Sequence, residues 1–385
     1  MERTSLTVLH ILWEYKFYSV ISKNFNNCEY YHNIYSYQAT KLNGEECRKF
    51  EKASDKILIF KSFREILNII SKGKIDIIYF HSLAIPYWYW VARLPKDLTV
   101  IWWVWGYDVY NNAYGCIRPL IDIELYKPIT KMYRRLEGPN LVIRLGRYIK
   151  SLFFICFEKK AMNNISYLQT VTDVEFNMLS TNSVLSHVKH FYAPFSTKFD
   201  CFCRNDNAKF ILVGNSASDT NNHADILQAL KMSGIKDKEV LLPMSYGSES
   251  YSLFLKEYIK SNSYHFKIRI LDTFLPINEY EELFTHVSHA IFGVLRQQAM
   301  GNIKFCLRHG VKVFLYKESI LYKELRGLGF IIFSIDDDLT KAQLDCPLSE
   351  EEAMYNYNKW SAYIRDNNIK AKQIAENILR QKLTK

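Results

Sequence analysis

ILVGNSASDTNNH, residues 211–223, opens as a buried strand and runs straight into Gly214, Asn215 and Ser216. Ala224–Leu230 then has the pattern of a starting helix. A strand ending in glycine and small polar residues before a helix lets backbone N–H groups converge on an anion. A diphosphate is a ligand of that kind. The other reading is a plain helix cap at Ser218, Asp219 or Thr220. Neither a GxGxxG fingerprint nor a P-loop pattern occurs, so this segment alone leaves both readings open.

Working outward, the same rhythm recurs along the chain. Short apolar runs at Leu6–Leu12, Ile57–Phe60, Ile75–Phe80, Val100–Val104 and Ser166–Val171 alternate with helix-like segments. A second series follows at Phe210–Val213, Val240–Leu242, Ile268–Leu271, Ala290–Val294, Val311–Leu315 and Phe330–Phe333. Runs this short, spaced by amphipathic segments, read as buried parallel strands. Two such series predict an α/β protein of two Rossmann-like, doubly wound parallel-sheet domains. The expected division is an N-terminal domain over 1–193, a linker over 194–209, a second domain over 210–345 and C-terminal helices over 346–385. Ligands in open α/β sheets sit beyond the carboxyl ends of the strands. The polar clusters LLPMSYG (241–247), LRQQAMG (295–301) and SIDDDL (334–339) all fall at such ends.

Composition narrows the class. The 385 residues are 48% hydrophobic and 23% charged, which is globular rather than disordered. A net charge of +10 calls for an anionic partner: nucleic acid, an anionic membrane surface or a phosphorylated substrate. Eight cysteines without a CxxC pair read as reduced thiols of a cytosolic protein, and Cys201 with Cys203 lacks a matching pair for zinc. The N-terminus does not read as a signal peptide. The most apolar stretch, Leu152–Phe157, is too short for a bilayer about 30 Å thick.

Taken together, ILVGNS…NNH, PMSY, RQQAMG and the late DD pair resemble glycosyltransferase family 56. IIYFHSLAIP (77–86), WWVWGYDVY (102–110) and His10 on the first strand agree with that resemblance. It covers roughly 75–115 and 205–340, and departs at Ala299 and Asn302. The resemblance implies a GT-B fold, its two domains facing a central cleft. It also implies transfer of 4-acetamido-4,6-dideoxygalactose, or a similar deoxyamino hexose, from a dTDP-linked donor to a polyprenyl-diphosphate-linked saccharide. Such a step belongs to bacterial surface-polysaccharide assembly: enterobacterial common antigen, O-antigen or capsule.

In that frame Gly214, Asn215 and Ser216 cradle the diphosphate, with Asn222 and His223 reaching phosphate or sugar hydroxyls. His223 reads equally as a solvated histidine at a helix start. Arg296 is expected to neutralise the departing diphosphate, since a guanidinium can bond it through a fork of donors. Gln297, Gln298 and Asn302 complete the donor pocket, and Gly301 permits close backbone approach. Pro243, Met244, Ser245 and Tyr246 line the base or ribose side, and Glu318 grips the ribose or sugar. For an inverting reaction, Asp108 or His81 is the catalytic base. Their bland readings are a helix cap for Asp108 and a satisfied core histidine for His81. Asp336–Asp338 is read as a helix cap rather than a metal site, no metal or other cofactor being expected.

The stretch 117–160 carries ten Lys+Arg against four Asp+Glu, interleaved with aromatic and aliphatic residues. It reads as a segment lying on an anionic membrane surface, or as an ordinary helix pair packed on the first domain. Either way the enzyme is expected at the cytoplasmic face of the inner membrane, peripherally. Two further readings compete: a UDP- or GDP-sugar transferase of the same fold, and a non-catalytic sugar-nucleotide or nucleic-acid binder. No RNP-like module supports nucleic-acid binding.

Overall fold

The computed structural model describes residues 4–12, 17–38, 57–106, 108–110, 120–136, 141–194 and 201–384. The chain runs β1 (Leu6–Leu12), α1 (Tyr18–Asn26), β2 (Tyr31–Gln38), β3 (Ile57–Phe60), α2 (Phe63–Gly73), β4 (Ile77–His81), α3 (Ile85–Val91), β5 (Thr99–Trp103), α4 (Pro128–Leu136), α5 (Leu141–Asn164), β6 (Tyr167–Gln169), α6 (Asp173–Ser180) and β7 (Lys189–His190). It continues with β8 (Phe210–Val213), α7 (His223–Met232), β9 (Glu239–Pro243), α8 (Glu249–Lys260), β10 (Lys267–Leu271), α9 (Ile277–Leu283), β11 (Val287–Phe292), α10 (Met300–His309), β12 (Lys312–Leu315), α11 (Ile320–Gly327), β13 (Phe333–Ser334), α12 (Lys341–Asp345) and α13 (Glu350–Leu383).

Two compact units result, each built on one parallel sheet. The first has the strand order β3-β2-β1-β4-β5-β6-β7 and the second β10-β9-β8-β11-β12-β13. Both orders reverse direction once, between β1 and β4 and between β8 and β11. That is where a doubly wound sheet opens a crevice beyond its strand ends. Every strand read from the apolar runs is present, with ends shifted by up to three residues. The reading missed β2 and β7. The buried face of β2 is built from Tyr31, Tyr35 and Tyr37. Its intervening His32, Asn33 and Ser36 break the aliphatic run that marks a buried strand.

The unit boundaries differ from the expected ones. The first unit comprises 1–122, 140–198 and 363–385, and the second comprises 123–139 and 199–362. The basic stretch 117–160 is therefore divided rather than a single insertion of the first domain. Packing explains the division. Tyr133 of α4 joins the core of the second unit with Ile211, Leu227 and Tyr251. In the first unit, Ala375 and Ile378 from the end of α13 join Leu6, Val8 and Tyr79. Asp225 of α7 also caps α4, accepting the N–H groups of Ile129 (2.8 Å) and Thr130 (3.0 Å) and the Thr130 hydroxyl (2.7 Å). A carboxylate at a helix start satisfies orphan donors and opposes the positive end of the dipole. Of the expected linker, 195–200 lies outside the described residues, and 201–209 belongs to the second unit.

Candidate active site

Polar side chains from three consecutive strand ends of the second unit converge. Gly214 ends β8 with φ +71°, a conformation that glycine adopts without steric cost. A Cβ there would stand 2.2 Å from Nε2 of His223, so the imidazole occupies the place of a side chain. The loops after β8 and β9 are joined by backbone bonds: Ala217 N–H to Tyr246 O (2.7 Å) and Ser248 N–H to Ala217 O (2.7 Å). A Cβ on Gly247 would strike Ala217 O at 2.5 Å, which fixes glycine at that crossing. This junction brings the Asn215 amide to the Tyr246 hydroxyl, 3.3 Å away. From the bend after β11, Gln298 donates to Asn215 Oδ1 (3.1 Å) and accepts from the Thr220 hydroxyl (2.6 Å). Ser216 is held by Asn221, whose amide donates to its carbonyl (3.0 Å) and hydroxyl (3.3 Å).

Arg296 and Gln297 lie half-buried on the same bend as Gln298, directly before α10. Asn302 on α10 donates to the Tyr280 hydroxyl at 2.7 Å. Tyr280 is a half-buried residue of α9 that the sequence reading overlooked, because it comes from a helix rather than a strand end. Burial pushes its phenol pKa up, and the nearby Tyr246 adds to the shift. Thr220 was read only as a possible cap, and its contact with Gln298 is visible only in three dimensions.

Several expectations are corrected. Asn222 does not reach outward. It adopts φ +52°, accepts the Lys127 N–H (2.8 Å) and donates to Leu125 O (3.1 Å) and Gly293 O (2.7 Å). Its amide thus ties α4 to the strand ends. His223 is fully buried rather than solvated, with the Tyr251 hydroxyl 3.3 Å from Nδ1. Burial lowers its pKa to about 3, so it supports Gly214 as a neutral ring and not as a cation. Pro243 and Met244 are buried, leaving Ser245 half-exposed and Tyr246 exposed. No protein atom lies within 4 Å of a Cβ placed on Gly301, so packing does not require glycine there. Glu318 is exposed and forms an ion pair with Lys127.

The acidic triplet staples a turn instead of capping a helix. Asp336 accepts the Lys317 N–H (2.8 Å), Asp338 accepts the Ser334 N–H (2.7 Å), and Asp337 pairs with Lys317. Thr340 is the residue that caps α12. Among the described residues, no group of three His, Cys, Asp or Glu side chains is placed to hold a metal ion.

In the first unit, the two residues read as candidate bases are committed to internal structure. The Asp108 carboxylate accepts the Trp102 indole N–H (2.8 Å), the N–H groups of Trp105 (3.0 Å) and Leu83 (3.2 Å), and the Ser82 hydroxyl (3.4 Å). It pins the loops after β4 and β5 together. His81 is fully buried, with Nε2 2.8 Å from His10 Nδ1. Asn33 donates its amide to Asn26 and Tyr31, so its Oδ1 accepts from His10 Nε2 at 3.0 Å. That places the His10 proton on Nε2 and makes His81 Nε2–H the donor to His10. Burial lowers the pKa of both rings, that of His10 to about 4, and both are neutral.

Two doubly wound parallel α/β units, each with polar residues beyond its strand ends, have the architecture of the GT-B fold. A profile described as "4-alpha-L-fucosyltransferase glycosyl transferase group 56" matches residues 143–350, and a "Glycosyl transferase 4-like" profile matches 20–132. The first match spans more than half of the chain, and the chain belongs to glycosyltransferase family 56. Solved structures of similar fold include a glycosyltransferase from Rickettsia africae (TM-score 0.56, 14% identity, covering 98% of this chain and 99% of the other). Anabaena HepE in complex with UDP and glucose aligns with a TM-score of 0.59 at 10% identity, over 97% of this chain and 99% of HepE. An Escherichia coli trehalose-6-phosphate protein bound with UDP-2-fluoroglucose gives 0.57 at 10% identity, again over 97% and 99%. At these identities the likeness concerns the fold.

Proposed function

We propose that this glycosyltransferase moves a deoxyamino hexose, such as 4-acetamido-4,6-dideoxygalactose, from a dTDP-linked donor to a polyprenyl-diphosphate-linked saccharide. The carrying observation is the Gly214 turn with Asn215, Gln298 and Tyr246 joined beside it, next to the bend bearing Arg296. A 6-deoxy sugar agrees with the fucosyltransferase description of the family. In the reaction the acceptor hydroxyl oxygen bonds to the anomeric carbon as the bond from that carbon to the diphosphate oxygen breaks. Negative charge builds on the departing diphosphate, and the hydroxyl proton passes to one of its oxygens or to water. Arg296 and the N–H groups opening α10 neutralise that charge without a metal ion. Asn215, Gln298 and Tyr246 hold the sugar-phosphate through adaptable donors and acceptors. An acceptor carried on a polyprenyl chain puts the enzyme at the cytoplasmic face of the inner membrane.

The test is a thermal-shift panel of dTDP, UDP and GDP, run with and without EDTA. A ligand at a hundredfold excess over Kd stabilises the folded state by about 2.7 kcal/mol. The expected result is a shift with dTDP that survives EDTA and is lost in Arg296→Ala. The bound UDP of the fold relatives favours a second reading with a UDP-linked donor, which a larger shift with UDP would support. No shift with any nucleotide refutes the assignment.

A further inference from the structure

We infer that the N-terminal part of α5 is a membrane-contact surface that lies on an anionic lipid bilayer. Val142 (78% exposed), Leu145 (55%), Ile149 (62%) and Leu152 (46%) are open to solvent, and Cys156 is exposed one step further. Their spacing of three, four, three and four residues places all five within an arc of roughly 80° at 100° per residue. The stripe runs about 21 Å along the helix at 1.5 Å per residue. Later turns of the helix hold α5 to the first unit. Phe157 packs edge-on against Tyr89 (5.1 Å), Asn164 donates to Val91 O (2.9 Å), and Ala161 and Met162 are fully buried.

Charge selects the occupant. From 141 to 160 the helix carries Arg144, Arg147, Lys150, Lys159 and Lys160 against Glu158 alone. No acidic residue occurs between 141 and 157. On the helix, positions 144 and 150 lie about 120° to either side of the centre of the stripe, and 147 lies opposite it. Pairing with a second copy of α5 would therefore set like charges against each other, whereas an anionic headgroup layer offers them partners. An exposed apolar stripe on a helix whose polar face is basic is the arrangement that settles into a bilayer interface.

The remainder of the basic stretch includes α4, which belongs to the second unit. Tyr133 of α4 is buried and stacks on Phe254 (4.4 Å), and Arg134 pairs with Asp219 (3.1 Å). The inference rests on the lipid-linked acceptor proposed above and narrows the contact to α5.

The experiment is co-sedimentation of the intact protein with phosphatidylglycerol/phosphatidylethanolamine vesicles, and with phosphatidylcholine vesicles as the neutral control. Wild type should bind the anionic vesicles, less so as salt shortens the Debye length. Val142→Ser/Leu145→Ser/Ile149→Ser/Leu152→Ser should lower partitioning by about tenfold or more. Arg144→Glu/Arg147→Glu/Lys150→Glu should do the same, and Ile149→Glu alone should give an intermediate loss if the quadruple variant folds poorly. Unchanged binding by the charge variant and by Ile149→Glu overturns the inference. So does a wild-type dimer that these changes dissociate while vesicle binding stays constant. The nucleotide thermal shift, measured without vesicles, reports separately on the donor site and should not change in any of these variants.

Discussion

Both units present polar residues at strand ends beside the point where strand order reverses, yet the two clusters differ in kind. Around Asp108 the acceptor atoms are filled by an indole, two backbone N–H groups and a hydroxyl. His81 is locked to His10, and His10 to Asn33. Around Asn215 the partners are amides and hydroxyls on half-buried or exposed side chains. The first cluster is a closed network that fixes loops. The second has groups that can exchange one another for a ligand at small cost, because amides and hydroxyls both donate and accept. A polar residue at a strand end thus marks a site only where its hydrogen-bonding capacity stays open.

The largest effect that would break this contrast is at Asp108. Asp108→Ala leaves the Trp102 indole and two loop N–H groups without acceptors, and should cost about 3 kcal/mol of stability. Urea denaturation checks it. An unchanged midpoint with lost turnover would return Asp108 to catalysis. Removing the second cluster should do the reverse. Asn215→Ala/Gln298→Ala is expected to weaken nucleotide binding about tenfold or more. Its unfolding midpoint should move little, since both side chains are only half-buried. Calorimetric titration with dTDP measures the first and urea the second. Equal losses in stability and binding would erase the distinction.

Buried imidazoles make a prediction common to both units. His10 and His289 are lowered to about 4 and His223 to about 3, each mainly by burial. The unfolded chain binds protons near 6.5 while the folded one does not, so folding is favoured in full above pH 6.5. Stability is lost as pH falls from there towards 4, by roughly 1.4 kcal/mol per unit for each ring. Urea midpoints at pH 7 and pH 5 test this. In His223→Gln the fall should be shallower by one ring's share, and an identical slope would mean that His223 is protonated in the fold. The smallest expected effect is at Ala299, which enters α10 at φ +67°. Ala299→Gly should raise stability by up to about 1 kcal/mol, because glycine adopts this conformation without strain. A lowered melting temperature would show that unfolded-state entropy outweighs that strain.

The strands were legible wherever aliphatic residues fill both faces, as in Ile211–Val213 or Ile77–Phe80. β2 was not, because its core face is tyrosine and its other positions are polar apart from Ile34. At the candidate site, strand-end position points to Asn215, Tyr246 and Gln298, which the structure brings together beside Gly214. It could not separate these from Asn222, whose neighbours Leu125, Lys127 and Gly293 come from distant parts of the chain. Tyr280 gave no signal, since its role is to hold Asn302 from a neighbouring helix.

The basic stretch shows the same limit. Composition marked 117–160 as one cationic, aromatic segment. The fold divides it, burying Tyr133 in one unit and leaving Val142, Leu145, Ile149 and Leu152 exposed on the other.

The sequence alone carries two parallel α/β units, a glycine turn after β8 and the resemblance to a glycosyltransferase family. These depend on local pattern: apolar runs, a glycine after a strand, and motif order. The tertiary structure settles which polar residues are spent inside the protein and which stand half-buried or exposed at the strand ends. That outcome depends on hydrogen-bond partners supplied from as far as 97 residues away, as for Asn222 and Leu125. Hydrogen-bonding capacity is used up by contacts in space, and spacing along the chain does not record them.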